Sequence, residues 1–277
     1  MPNKMPMHET LPGLKIIKPG RTELVHRIYS PEPDQYAMSF GVMVPFVLQA
    51  SGTEQDITFS SIWEHAANVL QKNETLDEGW PKPKGEFLAA GCCYSPAGTT
   101  QQPVSAHISI GALNKRLAVF GPRKLNVAGG ISAPDAFEKM PITLTNAFGG
   151  KGYDANPNGK GFTNKGGDAE LPNIELPDHL MLSAKDRPPV AGFGPLPSAY
   201  PQRAQHLGKQ NEHWRNTRWP HLPVDTDARY FMAAAQDQHL DSFWAGGETI
   251  EIQNMHPEHP VLQGRLPRTR PRFFVHQ

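Results

Sequence analysis

Cysteine is nearly absent from this sequence: there are two, and they are neighbours, Cys92 and Cys93. A disulfide needs its α-carbons farther apart than one peptide step, so no intrachain disulfide framework is expected. Long hydrophobic runs are missing too. The longest, from Ala37 to Leu48, is broken by Ser39 and Pro45 and is too short to span a bilayer. The opening residues, MPNKMPMHETLPG, lack the apolar core of a signal peptide. These absences predict a soluble, cytoplasmic protein with no membrane partner.

Excess charge of either sign is also lacking. Twenty-seven Lys and Arg balance twenty-seven Asp and Glu. A nucleic-acid binder normally carries a basic stripe. The one candidate, GRLPRTRPRFFV, reads as a solvated extended edge, with Arg265, Arg268, Arg270 and Arg272 spread among prolines. No nucleic-acid partner is expected. Hydrophobic residues (38%) and charged residues (19%) are both scarce, and glycine (25) and proline (28) fill the gap. That share stays below the level at which disorder becomes the default, so the chain should fold with long, turn-rich connections.

What is present is mostly strand-like. TELVHRIY and YAMSFGVMVPFVL are rich in β-branched and aromatic residues and bounded by turn formers. Ser61 and Glu64 form a capping box for a helix running to about Gln71. Strands are predicted at 86–94, 104–110 and 116–120, joined as an antiparallel meander. In the second, Val104, Ala106, Ile108 and Ile110 alternate with Ser105, His107 and Ser109, which predicts one wet face carrying His107. Residues 121–197 hold little periodicity and should be ordered, irregular structure over the sheet. Short helices are expected at 199–207, ending near Gly208, and at 211–219. Strand-like alternation returns at 249–255, 261–266 and 272–276. The fold class is therefore α+β and beta-heavy, with antiparallel sheets, a few helices on one side and long Gly/Pro-rich loops. Residues 1–13 read as a flexible N-terminus and 14–277 as a single domain.

Four features invite a chemical reading. The segment AFGGKGYDANPNGKGF, residues 147–162, is glycine-rich, but Gly161 stands where a phosphate loop needs a hydroxyl and no helix start follows. Asn156-Pro157-Asn158-Gly159 matches a type I turn position by position, so a turn is expected there. Gly130-Ile131-Ser132-Ala133-Pro134 begins like a hydrolase elbow, yet proline replaces its second glycine, leaving Ser132 a loop residue. His256 and His259 are separated by Pro257 and Glu258. A turn could bring them together, but no third ligand stands nearby, and a proline-fixed turn is the better reading. Asp77 and Glu78 are adjacent, a poor arrangement for a shared substrate. The arm after them, Trp80-Pro81-Lys82-Pro83-Lys84, reads either as a peptide-contacting edge or as a loop whose Trp80 plugs the core. No catalytic, cofactor-binding or metal-binding residue is assigned from these features.

A set of blocks recurs in a characteristic order: IIKPGRTELVHRIY, LDEGWPKPKGEFLAAGCCYSP, VFGPRK, MPITLTNAFGGKGYDANPNGKGF, LPNIE, RPPVAGFGPL, the DQ of AAAQDQHL, and ETIEIQNMHPEHPVLQGRLP. In these blocks the sequence resembles the type VI secretion adaptor/chaperone family, long catalogued as a domain of unknown function, from about Leu14 to Val275. The resemblance implies a non-enzymatic cytoplasmic protein. It would bind a cognate effector, keep it soluble and help load it onto a VgrG or PAAR spike protein. Similar proteins commonly continue past RPRFFV, which implies a final sheet left incomplete or completed by a partner. The expected effector-binding surface comprises Trp80, Phe148, Tyr153, Asn156 and Phe193, on the loops around them. The alternatives are a hydrolase using Ser132, a metal-dependent enzyme using His256 and His259, or a structural component of the spike.

Overall fold

The computed structural model describes residues 23–29, 37–43, 80–96, 98–126, 130–163, 169–219, 221–266 and 268. In chain order the strands are β1 (Glu23–Tyr29), β2 (Ala37–Met43), β3 (Cys92–Tyr94), β4 (Val104–Ile110), β5 (Leu113–Val119), β6 (Lys124–Leu125) and β7 (Lys139–Pro141). They continue as β8 (Phe148–Gly149), β9 (Lys160–Gly161), β10 (Ala169–Glu170), β11 (Ile174–Glu175), β12 (Thr249–Gln253) and β13 (Val261–Arg265). Between β11 and β12 lie two short helices, α1 (Pro201–Ala204) and α2 (Glu212–Thr217). This is a beta-heavy α+β fold. The expected helix at 61–71 and strand at 272–276 lie outside the described residues.

The central sheet has five strands in the order β11-β5-β4-β12-β13. Every pairing in it is antiparallel. The hairpin β4–β5 turns through Gly111 and Ala112, Gly111 taking the left-handed conformation (φ +56°) that a tight turn needs. The expected meander is corrected in its first member: Cys92–Tyr94 does not pair with β4 but with β7, in a separate two-stranded sheet. The sheet position beside β4 goes to β12 instead. Neighbours along the chain often pair, but Ser95–Pro103 carries the chain from β3 across to Phe137, where Thr100 makes an isolated bridge.

Register explains the core. Val104, Ala106 and Ile108 share a face with Leu117 and Val119 opposite them, and all five are buried. Phe87, Cys93, Phe137, Met140, Ile142, Ala191 and Phe193 close over them. Removing this much apolar surface from water is the main stabilising term of the domain. A second cluster, of Leu125, Phe148, Leu171 and Met181, sits beneath the glycine-rich segment. The face with His107 is polar but not wet at that point. His107 is 3% exposed, its Nε2 lying 3.0 Å from Asn114 Oδ1, so the expectation of a solvated His107 is corrected. Cross-strand side chains cover the ring.

The irregular middle is ordered by pairing in pieces as short as two residues, β6 with β10 and β8 with β9. Both predicted helices after Ser198 are present in shortened form. Asn211 caps α2 by accepting from the Trp214 amide at 2.8 Å. Among the described residues no helix is long and apolar enough to cross a membrane.

Candidate functional site

The segment 147–162 is built around one amide. Asn156 is 3% exposed, and its Nδ2 donates to Leu144 O at 2.7 Å and Phe148 O at 3.0 Å. Its own carbonyl accepts from Gly150 N (2.9 Å) and Gly159 N (3.2 Å), the second bond closing the turn read from Asn156-Pro157-Asn158-Gly159. Two glycines are demanded by this packing. A Cβ on Gly149 would sit 2.1 Å from Asn156 O, and one on Gly159 would sit 2.5 Å from Asn156 Nδ2. The glycines therefore let backbone close on backbone around Asn156. The Gly150, Gly159, Lys160 and Phe162 amides are all spent on carbonyls within the segment. This is an internal lock with no open row of donors for a phosphate.

The residues expected to meet an effector are largely occupied by the protein itself. Phe148 and Phe193 are each 1% exposed, so both are corrected from surface anchors to core side chains, as is the buried Asn156. Phe148 meets Tyr153 edge-on at 5.1 Å, and Tyr153 leans on Phe162 at 5.4 Å. Tyr153 is half-buried and joins the second core to the surface. Phe193 packs on Phe87 at 6.3 Å. Trp80 is half-buried and stacks flat on Phe231, centroids 4.5 Å apart, which is the core-plugging alternative. The five residues do not form one surface: Phe148, Tyr153 and Asn156 belong to the glycine-rich segment, Phe193 to the main core, and Trp80 to the Phe231 stack. Aromatic residues in glycine-rich loops read as exposed because the loop does. Here the loops are the covering layer, and their aromatics point inward.

The enzymatic candidates are held in local backbone bonding. Ser132 Oγ accepts from Lys124 N at 3.0 Å and Ser132 N donates to Lys124 O, so this side chain staples its own loop to β6. No helix follows it, as a nucleophile elbow requires. His256 and His259 do approach, their rings stacking at 4.8 Å, and His256 Nδ1 accepts from the Glu258 and His259 amides at 3.1 Å each. The turn that unites them thus uses one of the four ring nitrogens. Among the described residues no group of three His, Cys, Asp or Glu side chains could hold a metal ion. Cys93 is a buried thiol whose pKa burial pushes up to about 12, far from the thiolate a nucleophile needs.

Sequence reasoning missed the polar interior. Gln238 is fully buried. Its Nε2 donates to Phe87 O (2.7 Å) and Phe193 O (2.9 Å), and its Oε1 accepts from Lys115 Nζ (2.7 Å). Lys115 also reaches Asp237 Oδ1 at 2.8 Å, and burial, opposed by Asp237, lowers its pKa. Alternation could have found it: Leu113, Lys115, Leu117 and Val119 share one face of β5, so a lysine stands in an apolar row. At the sheet edge Arg123 pairs with Glu175 at 3.2 Å, both buried, while Arg123 donates to Pro172 O at 2.8 Å. Burial raises the Glu175 pKa against the downward pull of Arg123. Asn173 ties in from the next position, donating to Phe120 O and accepting from Lys160 Nζ.

Several of the recurring sequence blocks thus resolve into internal locks. VFGPRK supplies Arg123, LPNIE supplies Asn173 and Glu175, the NPNG turn supplies Asn156, and DQ supplies Asp237 and Gln238. The exposed large apolar side chains lie elsewhere, at Leu182, Trp219, Val224, Phe243 and Val261. Neither a curated protein nor a solved structure matches the chain. A family model described as an uncharacterized protein conserved in bacteria matches residues 35–277, and by that match the chain belongs to the DUF2169 family.

Proposed function

We propose that this protein is a non-enzymatic adaptor of type VI secretion, a cytoplasmic chaperone that binds a cognate effector and helps load it onto a VgrG or PAAR spike protein. The observation that carries the reading is the ordered array of sequence blocks, which resembles that adaptor family along nearly the whole chain. The geometry supports it in one further respect. The buried polar residues of those blocks, Arg123, Asn156, Glu175 and Gln238 among them, are spent on internal bonding, while apolar side chains such as Phe243 (63% exposed) and Val224 (70%) stand at the surface. A rigid scaffold with exposed apolar side chains suits recognition of another protein.

The test is an affinity purification of the tagged protein from its own cells while type VI genes are expressed, read by mass spectrometry. A toxin-like protein recovered with VgrG or PAAR, and co-eluting with the adaptor on gel filtration, is the expected result. Recovery of neither under those conditions defeats the reading. Appearance of the protein itself in the culture medium would make it a component of the spike.

A further inference from the structure

The two edges of the central sheet are finished differently, and the difference carries an inference about where a partner sits. Strand β13 pairs on one side with β12, and among the described residues no strand lies beyond it. Its hydrogen-bonding direction follows from the flanking bonds. Leu266 N donates to Glu248 O, and Asn254 N donates to Pro260 O. Antiparallel pairing alternates, so Leu262 and Gly264 face β12, and the backbone N–H and C=O groups of Val261, Gln263 and Arg265 point outward. The Gly111 N to Thr249 O bond on the far side of β12 fits the same alternation. These outward groups make no backbone bond among the described residues. Val261, Gln263 and Arg265 are also the residues whose side chains are exposed.

An edge of this kind is ordinarily blunted by an inward charge, a bulge or a proline within the strand. Here Pro260 precedes the strand and Pro267 follows it, but neither stands inside. The side chains define a complement. On the exposed face Arg265 makes no ion pair among the described residues, Gln263 is turned back to Glu251 Oε2 at 2.7 Å, and Val261 is half exposed. On the opposite face Leu262 is partly covered, and Gly264 brings no side chain of its own.

We infer that β13 accepts, as a sixth antiparallel strand, an extended segment of the effector: about five residues reading acidic, apolar, polar, apolar, β-branched, with the acid opposite Arg265 and the first apolar side chain over Gly264. This deepens the adaptor reading and rests on it for the identity of the partner. The main-chain bonds supply affinity, and the charge of Arg265, with Gly264 beside it bare of a side chain, sets the register.

Gln263→Pro is the discriminating variant. It removes one outward N–H and leaves the Leu262 and Gly264 bonds to β12 intact. Gln263→Ala, which removes the side chain alone, is its control. Effector recovery should persist with Gln263→Ala and fall at least about tenfold with Gln263→Pro, at unchanged circular dichroism. Full recovery with Gln263→Pro overturns the edge while leaving the adaptor reading standing.

A second measurement needs no effector. Titration with the capped peptide Glu-Val-Thr-Val-Ile should slow hydrogen exchange at Val261, Gln263 and Arg265 by roughly threefold or more. A lysine-led peptide should replace it in the Arg265→Glu variant. Unchanged exchange at all three amides overturns the inference, whatever the purification yields.

Discussion

At β11 the central sheet runs into more of the protein, whereas among the described residues nothing pairs with the outer side of β13. Ile174 of β11 pairs with Val119 on one side and bridges to Ala147 on the other, and Asn173 N donates to Asn146 O at 2.8 Å. Behind that edge stand the Arg123–Glu175 pair and the glycine-rich segment, all drawn shut by buried polar side chains. At β13 every second backbone group is offered outward and the side chains beside it are exposed. One edge of the sheet is thus built into the interior, and the other is open among the described residues. The recurring sequence motifs stand at both: VFGPRK, LPNIE and the NPNG turn at the closed edge, and ETIEIQNMHPEHPVLQGRLP at the open one.

The comparison breaks most visibly under mutation of the closed edge. Arg123→Met should destabilise the fold by about 3–5 kcal/mol by leaving Glu175 buried without its cation, measured by urea unfolding. Adding Glu175→Leu should recover most of that loss, since an apolar pair needs no desolvation repaid. Phe148→Ala belongs to the same class, with about 3–5 kcal/mol lost from the second core. A loss below ~1 kcal/mol in either single variant would place that side chain outside the stabilising interior.

Asn156→Ala should cost less, about 1–3 kcal/mol, because Leu144 O and Phe148 O lose a buried donor. Proline sharpens the contrast. Ile174→Pro should cost about 3 kcal/mol or more, since it removes a donor from a strand with neighbours on both sides, whereas Gln263→Pro should stay within ~1 kcal/mol of the wild type.

Two glutamates give the smallest and most specific readout. Burial raises the Glu175 pKa above its ordinary 4.5, while hydrogen bonds from Gln263 and then Gln253 lower that of Glu251. The signs follow by linkage. A carboxyl whose pKa is raised by folding favours the folded state most at low pH, so the Glu175 contribution diminishes as pH rises from 4.5 through its folded value. Glu251 behaves oppositely: its contribution is present above 4.5 and is lost as pH falls through its folded value. Carboxyl titration by NMR should show the two on opposite sides of 4.5. Gln263→Ala should move Glu251 upward and leave Glu175 unchanged.

Much of the scaffold was legible in the sequence. Strict period-two alternation placed Val104–Ile110 as a strand with its ends correct, and Asn-Pro-Asn-Gly named its own turn, because both signals are local. The pairing of β3 with β7 was not legible, because about forty-four residues lie between them, and the β4–β5 hairpin among these has an alternation that says nothing of what β3 meets. The candidate surface was misplaced for a related reason. Glycine-rich segments usually lie at the surface, but Gly149 and Gly159 are there because Asn156 fills the space a Cβ would need. Burial of a polar side chain depends on what it can bond to, and Lys115, Arg123 and Gln238 find partners far along the chain: Gln238 for the lysine, Pro172 O for the arginine, and Phe87 O for the glutamine.

The inward-facing lock at Asn156 bears on how members of this family would diverge. A side chain that holds the scaffold together answers to the fold alone, so its identity would be kept whatever the protein carries. An edge such as Val261–Arg265 answers to its visitor, so its place in the recurring block ETIEIQNMHPEHPVLQGRLP would mean that the visiting segment has features common to the family. Two relatives could therefore share the NPNG turn, the buried Gln238 and the VLQGR edge to the letter, and whatever tells their cargo apart would lie outside these blocks.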